Sequence, residues 1–459
     1  MAAGKGKRLK SRLPKVLHPV CGRPTLWHVL RAVAAVRPER VVVVVAHESD
    51  QIQEAVRGWG LDLPVHFVDQ GEPLGTGHAV MVSESAVGRA EDVLVVSGDE
   101  PLVTGGQLRD LVSQHRRKKA SATVQTTLAP GIRGLGHVVR DGDAFEKIAE
   151  APRATDHAAA IPEVATGMYV FRREDLFKAL PLLSRDNRQR EYYLVDVLGI
   201  LREKGERIVV QQVDNGGSVG TNSRAELAAA AAVMRRRINE ALMDGGVTLV
   251  DPDRTYVDAA VKVGPDTIIH PLTFLEGATT VGRDCVIGPS TRIVDSTVGD
   301  EVEIQFSVVR EATIRSRVTV GPYAHVRPET VLDEGSKAGT FVELKKSTVG
   351  RGSKVPHLAY VGDAEIGKDA NIGAGTITCN YDGYEKHRTV IEDGAFIGSD
   401  TMLVAPVKIG KGAVTGAGSA ITKDVPDGAL AVERSEQKIV EGYAKRRKKR
   451  GAKGRGKGL

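Results

Sequence analysis

Residues 257–293 read VDAAVKVGPDTIIHPLTFLEGATTVGRDCVIGPSTRI, and within them Val257, Val263, Ile269, Leu275, Val281, Ile287 and Ile293 recur every six residues. Six is neither the 3.6-residue period of an amphipathic helix nor the 2-residue alternation of a half-buried strand. It is the period of a solenoid whose short strands each turn one aliphatic side chain inward and then bend. After short slips of phase the series resumes at Ile314, Val320, Val326 and Leu332, again at Val349, Val355 and Val361, and finally at Ile391, Ile397, Leu403 and Ile409. Gly often follows the aliphatic residue, as at Gly282, Gly288, Gly398 and Gly410, where the chain must turn. One stretch, residues 379–389 (CNYDGYEKHRT), breaks the repeat; insertions in solenoids map to loops, often on the binding face. Residues 247–440 are therefore expected to form a parallel β-helix.

Upstream, residues 221–246 carry an Ala-rich run closed by Gly245 and Gly246, which predicts a single long helix capped by Thr221 or Asn222 and linking two domains. In residues 1–220 short apolar runs alternate with helical patterns. The Val run 41–45 and the segment DVLVVSGD (92–99) read as strands covered on both faces, and 26–36 and 106–118 as helices. This alternation predicts a parallel, Rossmann-like α/β sheet.

The 459 residues suit two or three domains. Cys21, Cys285 and Cys379 form no CxxC pair and no metal-ligand spacing, which suits free thiols in a reducing cytosol. No stretch reads as a signal peptide or a membrane span. The net charge of +6 misleads: nine Lys/Arg fall within 445–457, and removing them leaves −3. Residues 441–459 are expected to be a basic, disordered tail, and neither a membrane nor a specific nucleic-acid partner is expected.

The chain opens with MAAGKGKRLKSRLPKVL (1–17). A Gly-rich loop brings backbone N–H groups close to phosphate oxygens, and Lys5, Arg8 and Lys15 can add charge-assisted contacts. This string resembles the signature of nucleotidyltransferases that join a sugar phosphate to a nucleoside triphosphate. Three more segments are similar to that family: Gln70 with LGTGHA (74–79), SGDEPL (97–102) and VGTNSR (219–224). The resemblance implies that Gly4, Lys5, Arg8, Lys15, Gln70, Gly75, Thr76, Gly136, Glu150 and Asn222 hold UTP or the UDP-sugar. It also implies that Asp99 and Asn222 ligate Mg²⁺, and that EYYLVD (191–196) lies near the sugar. The family carries an apolar strand ahead of the Gly-rich loop; here the loop stands at Met1, so the first domain is expected to lack that strand. Leu135, His137, Ala165 and Val195 depart from the family's usual residues at the sugar subsite.

The second half is densest in resemblance over 339–386. With it, nearly the whole chain resembles the bacterial bifunctional glucosamine-1-phosphate N-acetyltransferase/N-acetylglucosamine-1-phosphate uridyltransferase family. That resemblance implies a left-handed β-helix, a homotrimer, and acetyl-CoA and UTP as co-substrates in making UDP-N-acetylglucosamine for cell-wall precursors. It makes His357 the general base, for which an imidazole pKa is suited, and Glu343 the group that orients it. Arg327, Lys345, Tyr360, Asn371 and Lys386 would hold glucosamine-1-phosphate. Ala374, Asn380, Tyr381, Ser399, Ala417 and Arg434 would line the acetyl-CoA site. Two other readings stand beside it: an acetyltransferase alone, with a decayed nucleotidyl half, and a non-catalytic β-helix paralogue, which the set His357, Lys345, Arg327 and Asn371 argues against.

Overall fold

The structure is a computed structural model, and it describes residues 1–4, 6–128, 136–142, 144–150, 162–187, 189–213 and 220–454. The chain divides into two compact units, Met1–Asp244 with Tyr256–Val261, and Gly245–Thr255 with Lys262–Leu459.

In the first unit, α1 (Thr25–Ala34), β1 (Val41–Val45), α2 (Ser49–Gly58), β2 (Val65–Asp69), α3 (Thr76–Met81), β3 (Asp92–Val95) and α4 (Gly105–Lys118) alternate as expected. Thr104 starts α4 with a capping box, its hydroxyl accepting from Gln107 N while the Gln107 side chain reaches back to Thr104 N. Then follow β4 (Ala122–Leu128), β5 (Gly136–Asp141), β6 (Ala144–Glu150), β7 (Glu163–Arg172), α5 (Asp196–Glu203) and β8 (Ile208–Gln212).

The sheet is mixed rather than wholly parallel. β1 pairs with β2, and β4 with β8, in parallel, but β7 runs antiparallel to β3, β4 and β5. The reason is local: β5 and β6 form an antiparallel pair, and β7 returns alongside it. Phe171, Met168, Leu108 and Leu111, all at most 0% exposed, anchor the core between sheet and helices.

The long helix α6 (Arg224–Asp244) is confirmed but starts later than expected. Ser223 caps it: its Oγ accepts from Glu226 N at 3.2 Å, while Glu226 Oε2 accepts from Ser223 N at 3.0 Å and Asn222 N at 2.6 Å. The Asn222 side chain is occupied elsewhere, as described below.

The second unit is a three-sided β-solenoid. Successive short strands visit three parallel ladders of eleven, ten and nine strands in turn. Of the eighteen aliphatic residues named from the period, all but Val263 are buried. Each stacks on its counterpart one coil along: Ile269 on Ile287, Ile287 on Ile304, Ile304 on Val320. The phase slips have a structural cause. Val298 and Val309 also point inward, on sides one residue short, so the coil closes in fewer residues without losing its three faces. Corner residues adopt left-handed φ, among them Asp284 (56°), Glu301 (57°) and Asp363 (51°). Buried hydroxyls satisfy corner carbonyls, as Thr273 Oγ1 does with His270 O at 2.8 Å.

Beyond the solenoid, Tyr443–Gly454 form a helix, α7, where an unstructured tail was expected. Six Lys/Arg fall in the first eight positions of a segment with few apolar residues, so composition alone gave no helical period to read. The three cysteines are free, and among the described residues no helix is long and apolar enough to cross a membrane.

Candidate active sites

In the first unit the Gly-rich opening is held against the sheet: Ala2 N donates to Val44 O at 2.8 Å. Gly6 has φ 56°, and a Cβ there would meet Lys15 Cβ at 2.9 Å, so glycine is required where the loop folds over Lys15. Around Gly4 the space for a Cβ is open. Arg8 is exposed, and Lys5 lies outside the described residues.

Three of the expected residues converge. The Lys15 ammonium pairs with Asp99 Oδ2 and donates to Asn222 Oδ1 at 2.6 Å. All three groups are largely shielded, the Lys15 and Asp99 side chains being 13% and 17% exposed. Asp99 is delivered by the loop after β3, and Thr221 locks that loop to the segment before α6, its N and Oγ1 both donating to Asp99 O at 3.0 Å. Gly220, φ 63°, sits so close that a Cβ would be 3.2 Å from Asn222 Nδ2 and 3.4 Å from Asp99 Oδ2. Beside them Glu100 is fully buried; burial, then the Asp99 charge, pushes its carboxyl well above the usual range. Asp99 and Asn222 thus aim two hard oxygens at one cation, here the ammonium. That is a donor set suited to a small divalent ion sharing its remaining positions with phosphate oxygens.

A second group forms in the same unit. Gln70 is buried and donates to Gly75 O at 2.9 Å. Gly75 has φ 106°, and a Cβ there would lie 2.5 Å from Tyr192 O. Thr76 Oγ1 accepts from Leu194 N at 3.0 Å, so the EYYLVD segment and the 74–79 loop are one tied structure. Gly136 opens β5, where a Cβ would meet Ile148 Cγ2 at 2.7 Å; the side chain of Glu150 and all of Leu135 lie outside the described residues. Ala165 and His137 are buried within the sheet. Close to Ala165, Glu163 accepts from both Thr126 and Arg140.

In the second unit the expected residues lie on adjacent coils. Glu343 pairs in register with Tyr360, Lys345 with Gly362, Thr340 with His357, and Lys354 with Asn371. His357 is exposed at a corner, and its carbonyl accepts from Gly375 N at 3.4 Å. Glu343 does not engage it: its carboxylate accepts from Arg327 Nη1 at 2.7 Å, so the group expected to orient the base is taken by the guanidinium.

Gly362 explains why Tyr360 and Asn380 can approach each other. A Cβ there would lie 2.5 Å from Tyr360 Oη and 2.8 Å from Asn380 Nδ2. Asp363, which the sequence reading missed, then ties the cluster: its Oδ2 accepts from Asn380 Nδ2 at 2.5 Å and lies 3.7 Å from Lys345 Nζ. Its only sequence signal was a Gly-Asp pair at a solenoid corner, and the same pair recurs at Gly299-Asp300 with no part in the cluster. Lys386 reaches the same group from the inserted loop; its hydrogen bond with Lys345, and then the Lys345 charge, lower its pKa. The loop closes on Asp382, which accepts from Glu385 N (2.7 Å), His387 Nε2 (2.7 Å) and Tyr384 N (2.8 Å); the Glu385 bond leads in holding its carboxyl far below the usual range. Tyr381 is exposed, its hydroxyl donating to Gly383 O at 2.6 Å.

Above His357 runs a column of small corner residues. Asp400 N donates to Ala374 O at 2.7 Å, Gly418 N to Ser399 O at 2.8 Å, and Arg434 Nη1 to Ala417 O at 3.1 Å. Gly373, Gly398 and Gly416 precede those residues; a Cβ on Gly373 would be 2.5 Å from Ser399 N, and one on Gly398 2.6 Å from Ala417 N. The result is a shallow, side-chain-poor path leading to the imidazole.

A phosphate-ready loop over a two-oxygen cation site, in one unit, and a hexapeptide solenoid with a corner imidazole, in the other, define a two-activity transferase. Residues 1–197 match the MobA-like NTP transferase domain family, and residues 388–423 the bacterial transferase hexapeptide (six repeats) family. The chain is 47% identical over 440 residues to the bifunctional protein GlmU of Syntrophomonas wolfei, covering 95% of this chain and 97% of that one. It is 48% identical over 449 residues to the bifunctional protein GlmU of Carboxydothermus hydrogenoformans, covering 97% and 99%. Against a solved UDP-glucose pyrophosphorylase complexed with UDP-glucose the likeness is remote, 17% identity and a TM-score of 0.42 over 51% of this chain and 97% of that one. The chain belongs to the bifunctional GlmU family, and it is a bifunctional uridylyl- and acetyltransferase.

Proposed function

We propose that the second unit N-acetylates glucosamine-1-phosphate and that the first joins the product to UTP, giving UDP-N-acetylglucosamine and pyrophosphate. The observation that carries the first step is an exposed His357 at the foot of the Ala374–Ser399–Ala417 column, with Lys345 and Arg327 on the neighbouring coils and Lys386 on the inserted loop. The lysines and Arg327 take the sugar phosphate, Tyr360 and Asn371 the sugar, and the column with Asn380, Tyr381 and Arg434 the acetyl-CoA. The imidazole accepts a proton from the sugar ammonium, and the freed amine attacks the thioester carbonyl. The tetrahedral adduct collapses by breaking the C–S bond, and the CoA sulfur leaves as a thiolate that is protonated to the free thiol.

In the first unit, Gly4, Arg8 and Lys15, with Lys5 in the same loop, receive the triphosphate, and Gln70, Gly75 and Thr76 the uracil. Gly136 and Glu150 lie on the sugar side. A phosphate oxygen of N-acetylglucosamine-1-phosphate attacks the α-phosphorus of UTP, and the bond to pyrophosphate breaks in line. Asp99 and Asn222 would hold Mg²⁺, which when bound neutralises charge on the phosphates. Lys15 then turns from Asp99 toward a phosphate oxygen.

The domain bounds follow as residues 1–220, 221–246, 247–440 and 441–459, and the setting is cytoplasmic. A homotrimer is supported by an exposed corner column on the solenoid, Phe306, Tyr323, Phe341 and Leu358. Its rings pack at 5.5 and 5.3 Å, and Leu358 directly follows His357. The test is product formation by the purified chain: free thiol from acetyl-CoA with glucosamine-1-phosphate, and pyrophosphate from UTP with N-acetylglucosamine-1-phosphate. Absence of the second, with the first intact, would favour an acetyltransferase alone.

A further inference from the structure

The loop that interrupts the solenoid, residues 380–388, closes on itself. Asn380 O accepts from His387 N at 2.7 Å, and Tyr381 bridges Lys386 in antiparallel register. Within it Asp382 accepts from the backbone N–H groups of Tyr384 and Glu385. These bonds fix the shape of the loop but not its seat on the coil. The seat comes from the corner residue Asp363. At the entry to the loop Asn380 Nδ2 donates to Asp363 Oδ2 at 2.5 Å, and at the exit Thr389 N donates to Asp363 O at 3.2 Å. Asp363 N in turn donates to Lys345 O, on the preceding coil, at 3.0 Å. The Arg388–Glu365 pair also lies at the exit, but its side chains are 66% and 52% exposed, and an ion pair so wetted holds little.

The Asp363 side chain is shielded, at 13% exposed, and Asn380 is buried. A hydrogen bond to an ionised acceptor is among the stronger kinds, and here water competes for it weakly. The same Oδ2 lies 3.7 Å from Lys345 Nζ, and Lys345 is hydrogen-bonded to Lys386 of the loop. Two ammonium groups that close repel each other. Asp363 supplies an anion beside them, and its charge, like that of Tyr360, favours the protonated form of Lys386.

We propose that Asp363 is a positioning residue of the acetyltransferase site: its one carboxylate seats the inserted loop through Asn380 and holds Lys345 and Lys386 together. The inference rests on the function proposed above, which puts Asn380 on the acetyl-CoA side and the two lysines on the sugar-phosphate side. Asp363 acts through these groups and touches neither substrate. Its two duties need different properties. Holding Asn380 takes an acceptor oxygen, which a carboxamide also offers. Holding two ammonium groups takes a negative charge, which a carboxamide lacks.

The test compares Asp363→Asn and Asp363→Gly with the parent chain in steady-state acetyl transfer, varying each substrate in turn, with thermal melts of every variant. Glycine is the deletion because Asp363 has φ 51°, where a Cβ is strained and glycine is not. Asp363→Gly is expected to raise the KM for acetyl-CoA and for glucosamine-1-phosphate, each by at least about tenfold, as loss of a hydrogen bond to a charged group does. Asp363→Asn should return the acetyl-CoA KM to within about threefold of the parent, its carboxamide oxygen accepting from Asn380, and leave the glucosamine-1-phosphate KM raised. In an Asn380→Ala chain, adding Asp363→Gly should raise the acetyl-CoA KM no further, because the carboxylate acts through that amide. A side chain that merely stabilised the coil would shift both KM values alike, and its effect would multiply with that of Asn380→Ala. Equal impairment of the acetyl-CoA KM by the Asn and Gly variants, multiplying effects, or a glucosamine-1-phosphate KM in Asp363→Asn at or below the parent's would overturn the proposal. Should Asp363→Gly melt early, the near-isosteric Asn variant still decides, because its two KM values must part. A parent chain without acetyl transfer would overturn the proposed function and this inference with it. An active parent whose KM values survive Asp363→Gly unchanged would overturn this inference alone.

Discussion

Replacing Asp99 with Asn separates the two activities. The carboxamide keeps the volume of the carboxylate and can still accept from Lys15, so the loop locked by Thr221 keeps its shape. What disappears is one negative charge at a site whose side chains are 13% and 17% exposed. A unit charge about 4 Å from a cation is worth about 4 kcal/mol at an effective dielectric constant near 20. At 1.36 kcal/mol per factor of ten, losing that much cation binding slows uridylyl transfer by on the order of 10³-fold. Acetyl transfer, in the other compact unit, should stay within about twofold, as independent sites behave. The assay follows pyrophosphate and free thiol in parallel on one preparation, with a thermal melt to show that the variant is folded. Uridylyl transfer within tenfold of the parent would refute the assignment of Asp99 to the cation. A folded variant that lost both activities together would refute the separation of the sites.

Replacing His357 with Ala should leave acetyl-CoA binding intact and slow acetyl transfer by roughly 10²–10⁴; single-turnover thiol release beside a CoA titration checks both. Ile287, 0% exposed between Ile269 and Ile304, should lose about 2–5 kcal/mol on substitution by Ala, read from denaturant midpoints of the second unit. Substituting Gly75 by Ala forces a side chain into φ 106° with a Cβ 2.5 Å from Tyr192 O, and UTP affinity measured by titration should fall while acetylation persists.

The solenoid was legible because its period is carried by single aliphatic residues that cannot be anywhere but inside. The sides closed by Val298 and Val309 were not, because a side one residue short breaks the count while leaving the fold intact. In the first unit strands and helices were readable from composition, but not the antiparallel course of β7, which depends on which earlier strand it returns to. The cation site was legible as motifs, and the three-way meeting of Lys15, Asp99 and Asn222 is a product of folding 207 residues apart. Asp363 and the Arg327–Glu343 pair were invisible for a related reason. Both are contacts between coils, set by stacking and not by neighbours along the chain.

The most direct measurement supplies glucosamine-1-phosphate, acetyl-CoA, UTP and Mg²⁺ together and follows products by mass. UDP-N-acetylglucosamine should form with the parent chain, N-acetylglucosamine-1-phosphate should accumulate with Asp99→Asn, and neither should appear at a comparable rate with His357→Ala. Nucleotide-sugar formation that survives both substitutions, or an Asp99→Asn chain that makes no acetylated sugar phosphate, would contradict two transferase sites on one chain.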